Sequence, residues 1–327
     1  MEKAFLAVQE PLPGEAWRQR FLAGWPRMRE WYLKEGLAPR PTVETCRAAL
    51  DRHMPELLPL YERLCDLVGD DDIAHRCLSC LDPPPVITGC SQAVWLGEGG
   101  PALVRNYDFE VPLTSGCIEA ARWRGRRVIA MSQRAWGALD GMNEDGLVAS
   151  LTFGGSFARG RGFSMILVLR YLLETCRTVA EAVAALIRIP IPMSQNVTVL
   201  DRSGAFATVF LGPDRAPLVT ESAVCTNHQD RPIHLQQGAA MRSAERQTML
   251  TRRLADPASD LPTLVKAMFE PPVYRHCNED GFATVYTAVY RPLQGSVEFI
   301  WPGKTWRQGF QRFEPGAYTH HYAALAV

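Results

Sequence analysis

Over the first eighty residues the apolar positions recur at three- and four-residue intervals, and residues 1–82 read as helical throughout. Glu15–Ala23 and Arg27–Leu33 carry this spacing most clearly, the pattern of amphipathic helices. Gly24 and Pro26 fall between them and predict a break. Thr45–His53 and Leu60–Val68 predict two further short helices, separated by Pro55 and Pro59. Asp82-Pro83-Pro84-Pro85 cannot be helix interior and marks a boundary.

Beyond that boundary the period shortens. Val86–Leu96 and Ala102–Tyr107 read as two strands joined by the turn Gly97-Glu98-Gly99-Gly100-Pro101, which makes a hairpin. Arg127–Ser132 and Gly146–Thr152 read as strands linked by a loop through Asp140-Gly141. Phe163–Arg177 and Val179–Leu186 are helical patterns. A second hairpin follows, Gln195–Asp201 and Ala205–Leu211, turning at Arg202-Ser203-Gly204. Val219–Thr226 reads as a strand, Ala239–Leu254 and Asp260–Phe269 as helices, and Thr284–Tyr290 and Ser296–Trp301 as strands. The last residues read as irregular and aromatic-rich. This order predicts an α+β layered fold, two antiparallel sheets with helices outside them.

Composition narrows the function. With 35 basic and 35 acidic side chains the chain lacks the clustered positive charge of a nucleic-acid binder. Its longest apolar stretch, Phe163–Leu173, is interrupted by Arg170 and is too short to span a membrane. The N-terminus has no apolar core behind a basic start, so no secretory signal is read there. Nine scattered cysteines fit free thiols in a reducing compartment, and a cytoplasmic location is expected.

Among those nine, Cys90 stands out. It follows Gly89 and the proline-rich linker at the head of a strand, and the returning strand brings Arg105 and Asp108 opposite it. A cation beside a thiol favours the reactive thiolate. The competing reading is a buried structural cysteine, the commonest fate of the residue, with Arg105 and Asp108 as an ordinary ion pair. His75, Cys77 and Cys80 offer three zinc ligands and Cys90 a fourth, but structural zinc sites use two spaced pairs and no second pair exists. No metal and no other cofactor is expected. Asn143 and Asp201 read as turn-shaping residues.

A series of segments, in order, resembles the choloylglycine hydrolase and penicillin acyltransferase branch of the N-terminal-nucleophile (Ntn) hydrolases. They are Gly89-Cys90, Arg105-Asn106-Tyr107-Asp108, Asn143-Glu144-Asp145-Gly146-Leu147, Asn196–Asp201 with Gly204, Thr226-Asn227 and Ser243-Ala244-Glu245-Arg246. The long leader is similar to that of the acyl-CoA:6-aminopenicillanate acyltransferase-like subgroup. The resemblance implies a four-layer αββα sandwich, a helical propeptide or small subunit at 1–89, and a catalytic domain at 90–327. It implies self-cleavage between Gly89 and Cys90, which frees an α-amine as general base for the thiol. It further implies that Asp108 positions that amine, that Arg105 favours the thiolate and that Asn227 donates to an oxyanion. Arg246 would support them or hold a substrate carboxylate.

Where the bile-salt hydrolases place a second oxyanion asparagine, this chain has Thr152, so Thr152 or the backbone N–H of Ser91 is the candidate there. The expected partner is a small-molecule amide or acyl substrate, with no nucleic acid and no membrane; self-association stays open. The choice between hydrolase and acyltransferase also stays open. The remaining alternatives are a catalytically silent binding protein of this fold and an unprocessed thiol hydrolase pairing Cys90 with His228.

Overall fold

The computed structural model describes residues 1–230 and 241–323. Among these, fifteen strands form two sheets. The larger is built from β1 (Glu2–Glu10), β4 (Cys117–Ala121), β5 (Val128–Gln133), β6 (Gly137–Asn143), β7 (Val148–Phe153), β8 (Gln195–Leu200), β9 (Phe206–Leu211), β10 (Leu218–Thr220) and β15 (Gly316–His321). Its order is β10-β9-β8-β7-β6-β5-β4-β1-β15. The smaller uses β2 (Gly89–Trp95), β3 (Ala102–Glu110), β11 (Val224–Cys225), β12 (Phe282–Arg291), β13 (Ser296–Trp301) and β14 (Lys304–Gly309), in the order β11-β2-β3-β12-β13-β14. Every pairing is antiparallel except β1 with β4.

Helices cover both outer faces. α5 (Met165–Thr175) and α6 (Val179–Arg188) lie on the larger sheet, and α7 (Ser243–Ala255) and α8 (Leu261–Ala267) on the smaller. The result is the expected α+β sandwich of four layers. Its main core fills the space between the sheets and under α5, while a smaller core of Ala93, Trp95, Val104, Leu250 and Leu264 lies between the smaller sheet and α7–α8. Alternation along β2 serves both cores. Cys90 and Val94 face the main core, and Ala93 and Trp95 face the outer one.

The leader is α1 (Glu15–Tyr32), α2 (Val43–His53), α3 (Leu58–Val68) and α4 (Asp72–Leu78), but its first residues are strand, not helix. In β1 Phe5 and Ala7 are buried at a spacing of two, and the strand is hydrogen-bonded to β15 on one side and β4 on the other. α1 also runs unbroken through Pro26. Trp17, Phe21 and Trp25 stack at four-residue intervals with centroids 5.4 Å apart, and that packing holds the turns across the missing N–H.

Three further expectations change. Asp140-Gly141 lies inside β6 rather than in a loop. Cβ atoms built at Gly137 and Gly141 would fall 2.6 Å from Ile166 and 2.7 Å from Leu173, so these glycines admit α5 rather than make a turn. The stretch 219–226 is two strands, β10 and β11, one in each sheet, and the chain crosses between sheets at Glu221-Ser222. The C-terminal residues form β14 and β15, whose exposed positions hide the alternation of a half-buried strand. Ala239 and Ala240, expected to open α7, lie outside the described residues.

Candidate active site

Cys90 is the second residue of β2, wholly buried. Its neighbour Gly89 does not have a positive φ, so the glycine is not there for a strained backbone. A Cβ on it would come 3.2 Å from Phe282 and 3.3 Å from Cβ of Asp108, tighter than ordinary contact. Gly89 therefore lets the carboxyl of Asp108 lie close against the Gly89–Cys90 peptide.

Arg105 and Asp108 flank the cysteine from opposite faces of β3, as a three-residue spacing on a strand requires. Nη2 of Arg105 donates to Cys90 Sγ at 3.3 Å. Its Nη1 donates to the Leu139 carbonyl at 2.8 Å and pairs with Asp140 Oδ2 at 2.8 Å. The hydroxyls of Tyr286 and Tyr290 donate to the two oxygens of Asp140. Burial works against the charge of Arg105, but Asp140, Tyr286, Cys90 and Tyr290 together more than offset it and hold the guanidinium above its ordinary pKa.

Asp140 is the residue the sequence reading passed over. The Asp-Gly pair resembles a turn, and its partners Arg105, Tyr286 and Tyr290 come from three distant points of the chain. A small buried polar residue amid the apolar positions of 137–143 was the one available signal.

On the outer face Asp108 accepts from the Thr284 hydroxyl at 2.8 Å and pairs with Arg275 at 3.3 Å. Burial raises its pKa, opposed by Arg246 and Arg275. Arg246, from α7, donates from Nη1 to the Cys90 carbonyl at 2.5 Å and to Ser91 Oγ at 2.7 Å, and from Nη2 to Asn227 Oδ1 at 2.7 Å. Burial lowers its pKa to about 10, with Asp108 opposing. Asn227 Oδ1 also accepts from the Cys90 N–H at 2.9 Å. Its Nδ2 donates to the carbonyls of Thr88 and Phe153, both at 3.2 Å. The amide donor thus sits against the backbone that precedes the Gly89 carbonyl.

The thiol itself is pushed above its ordinary pKa by burial, with Arg105 pulling the other way. Arg105 alone would have lowered it. Desolvation wins while the Thr88 hydroxyl stands 3.7 Å from Sγ and the linker covers it.

The remaining candidates take supporting places. The Thr152 hydroxyl donates to the Thr226 carbonyl at 2.7 Å and accepts from Asn196 Nδ2 at 3.1 Å. Its proton is committed to the strand end that carries Asn227. Ser91 accepts from Arg246. His228 Nδ1 lies 2.8 Å from the Ser243 hydroxyl, which in turn accepts from the Asn227 N–H at 2.7 Å, so the imidazole braces Asn227 instead of pairing with Cys90. Asn143 donates to the carbonyls of Leu173 and Cys176 and accepts from the Leu147 N–H, a loop-closing role. Asp201 accepts from Ser203 N–H and Val179 N–H around its turn. Among the described residues no group of three or more His, Cys, Asp or Glu side chains is placed to hold a metal ion. No helix there is long and apolar enough to cross a membrane.

A four-layer sandwich with a cysteine heading an inner strand is the architecture of the Ntn-hydrolase class. The family model for acyl-coenzyme A:6-aminopenicillanic acid acyl-transferase matches residues 95–306, well over half of the chain, and the protein belongs to that family. The match spans Arg105, Asp108, Asn227 and Arg246 and begins just after Cys90. Solved structures of similar shape include penicillin V acylase from Agrobacterium tumefaciens, with 14% identity, a TM-score of 0.49, and 72% of this chain and 95% of that chain covered. Another is a Caenorhabditis elegans orthologue of N-acylethanolamine-hydrolyzing acid amidase, at 16% identity and TM-score 0.47, covering 62% and 93%. A third is a mutant of conjugated bile acid hydrolase from Clostridium perfringens, at 13% and 0.43, covering 72% and 98%. A search of curated protein sequences gives no match.

Proposed function

We propose that the protein is a self-processing N-terminal-cysteine amidohydrolase or acyltransferase acting on a linear amide through a thioester on Cys90. The observation that carries this reading is the 3.3 Å contact of Arg105 with Cys90 Sγ, together with Asn227 and Arg246 bound to the N–H and carbonyl of the same residue. Such a convergence has no packing purpose. An apolar strand position filled by a small hydrophobe would be cheaper to build.

In the first reaction Sγ attacks the Gly89 carbonyl carbon. The C–S bond forms, the bond to Cys90 N breaks, and that nitrogen takes the thiol proton. Water then hydrolyses the thioester, leaving a Gly89 carboxylate and a free thiol. The new α-amine, with an ordinary pKa of about 7.7–8.0, serves as base for the thiol in the second reaction. Asp108, lying against the Gly89–Cys90 peptide, is placed to hold the amine once it is charged. Withdrawal of Thr88 frees Asn227 Nδ2 for the oxyanion of the substrate's tetrahedral intermediate. The amine of the substrate leaves with a proton, and water or a second amine takes the acyl group.

Residues 1–89 are then the small subunit and 90–327 the catalytic one. The small subunit stays bound, because β1 is hydrogen-bonded on both edges inside the larger sheet and Phe5, Trp17 and Phe21 belong to the main core. Denaturing and native mass spectrometry test this reading together. Fragments 1–89 and 90–327 are expected under denaturing conditions and a single complex under native ones. A wild-type chain that stays at 36.5 kDa yet turns over amides defeats the α-amine mechanism.

A further inference from the structure

The two oxygens of Asp108 are held in different ways. Oδ1 accepts from the Thr284 hydroxyl at 2.8 Å. Oδ2 is buried and, among the described residues, accepts no hydrogen bond. Its neighbour is Arg275 Nε at 3.3 Å, an ion pair rather than a hydrogen bond. A Cβ built on Gly89 would stand 3.6 Å from this same oxygen, so Oδ2 is the one turned toward the Gly89–Cys90 peptide. A buried carboxylate oxygen without a donor is costly. Cleavage after Gly89 would bring the N–H groups of a new amine to that spot.

The backbone carries Arg275 there. β13 pairs with β12 from Thr287 onward, and ahead of it Arg275 takes the same edge. The Thr284 N–H donates to the Arg275 carbonyl at 2.9 Å, and the Arg275 N–H donates to Thr284 Oγ1 at 2.9 Å. A bulge in β12 between Thr284 and Tyr286 sets this register. One hydroxyl thus joins the carboxylate to the residue that faces it. The Arg275 guanidinium lies 5.8 Å from the centroid of Phe282, the ring that bounds Gly89. Its Nη2 donates to the Met241 carbonyl, which also accepts from Arg246 Nε at 2.9 Å.

The charged and titratable groups around Asp108 come from several elements. They are Arg246 on α7, Tyr274 and Arg275 on the segment after α8, Cys90 on β2, and Arg105 from the opposite face of β3. Arg105 is committed to Asp140, which leaves two guanidinium groups against one carboxylate. A lone buried carboxylate would hold an ammonium and suppress its use as a base. Two cations beside that carboxylate remove the pull.

We propose that Arg275 is a positioning residue for Cys90. It holds Asp108 ionised by charge while leaving Oδ2 open to the amine, and by offsetting that carboxylate it keeps the amine available as a base. This deepens the self-processing reading above and rests on it.

The test is the pH dependence of Cys90 alkylation by iodoacetamide, with each variant and its parent compared in the same form, cut or uncut as mass shows. Arg275→Gln removes a positive charge from beside the carboxylate, so protons leave at higher pH and the midpoint should rise by about one unit. Arg275→Lys, which keeps the charge, should stay near wild type. In an Asp108→Asn background Arg275→Gln should move the midpoint by less than about half as much, because the carboxylate it acts through is gone. An unmoved midpoint in Arg275→Gln, a shift that Arg275→Lys shares in full, or an equal shift in both backgrounds overturns the proposal. Should Arg275→Gln not fold, Arg275→Met, which keeps a stem over Phe282, is read in its place. Failure of both to fold makes the residue structural and also overturns it. The mass of the wild type judges self-processing by itself. An uncut chain removes the amine, and the uncut thiol, which feels the same carboxylate, still decides whether Arg275 acts through Asp108.

Discussion

Cys90 and the pair Cys77–Cys80 are all buried thiols raised above their ordinary pKa by desolvation, yet only one is met by side chains converging on it. Cys77 lies in the last turn of α4 and Cys80 stands just beyond the helix at φ 54°, where its carbonyl accepts from the Ser164 N–H at 2.8 Å and fixes the start of the linker. His75, the third member of that motif, turns its Nε2 to the Gly69 carbonyl. Among the described residues no cation donates to either sulfur. At Cys90 the sulfur, N–H and carbonyl each have a side-chain partner, from β3, from the segment after β11 and from α7. Burial alone distinguishes nothing among these thiols. Convergent side-chain partners do.

The comparison breaks most sharply at Cys90→Ala. The uncut chain should persist at 36.5 kDa and amide turnover should vanish, because the attacking group is gone. Cleavage in that variant, read by mass, would move the nucleophile elsewhere. Asn227→Ala should fold and lose about 10²–10³-fold in kcat, the range for removing an oxyanion donor. A loss confined to KM would make Asn227 a binding group instead.

Arg105 and Asp140 sharpen the electrostatic half. Arg105→Ala removes the group that pulls the thiol down, so the midpoint of iodoacetamide alkylation against pH should rise and turnover fall. Asp140→Asn keeps the shape but releases the guanidinium from its ion pair, and should move the same midpoint by less. An unmoved profile in both variants would leave Arg105 a structural residue.

A second buried arginine supplies the control. Arg170 pairs with Glu119 at 2.7 Å and more loosely with Glu174 at 3.6 Å, and burial pushes Glu174 up to about 7. An acid raised in the folded state binds its proton more tightly there. Stability is therefore lost as pH climbs from the ordinary carboxyl range near 4.5 to about 7. Glu174→Gln should flatten that loss and raise Tm at pH 8 by a few degrees, without altering the alkylation midpoint of Cys90. The smallest effects belong to Cys77→Ser and Cys80→Ser, which should process and turn over within about twofold of wild type. Loss of both activities there would reverse the comparison.

The first hairpin, the α5–α6 pair and the second hairpin were legible because each is specified by its own residues. Period two or three to four, closed by glycine or proline, needs no knowledge of the neighbours. Gly89, Cys90, Arg105 and Asp108 were legible for the same reason, since one hairpin brings them together. Where local signals served a distant contact they misled. Asp140-Gly141 read as a loop because nothing in the sequence shows α5 lying on Gly141. The edge strands β14 and β15 lacked alternation because water covers most of their side chains.

The sequence by itself determined where strands and helices alternate, which thiol follows a glycine at a strand head, and which cation and carboxylate face it. Tertiary structure alone decided the rest. It threaded the first ten residues between β4 and β15, gathered Arg105, Tyr286 and Tyr290 around Asp140, and buried Cys90 beneath the linker. Each of these depends on groups far apart in the chain, or on a space that several elements enclose, and neither is written in the spacing of a single segment.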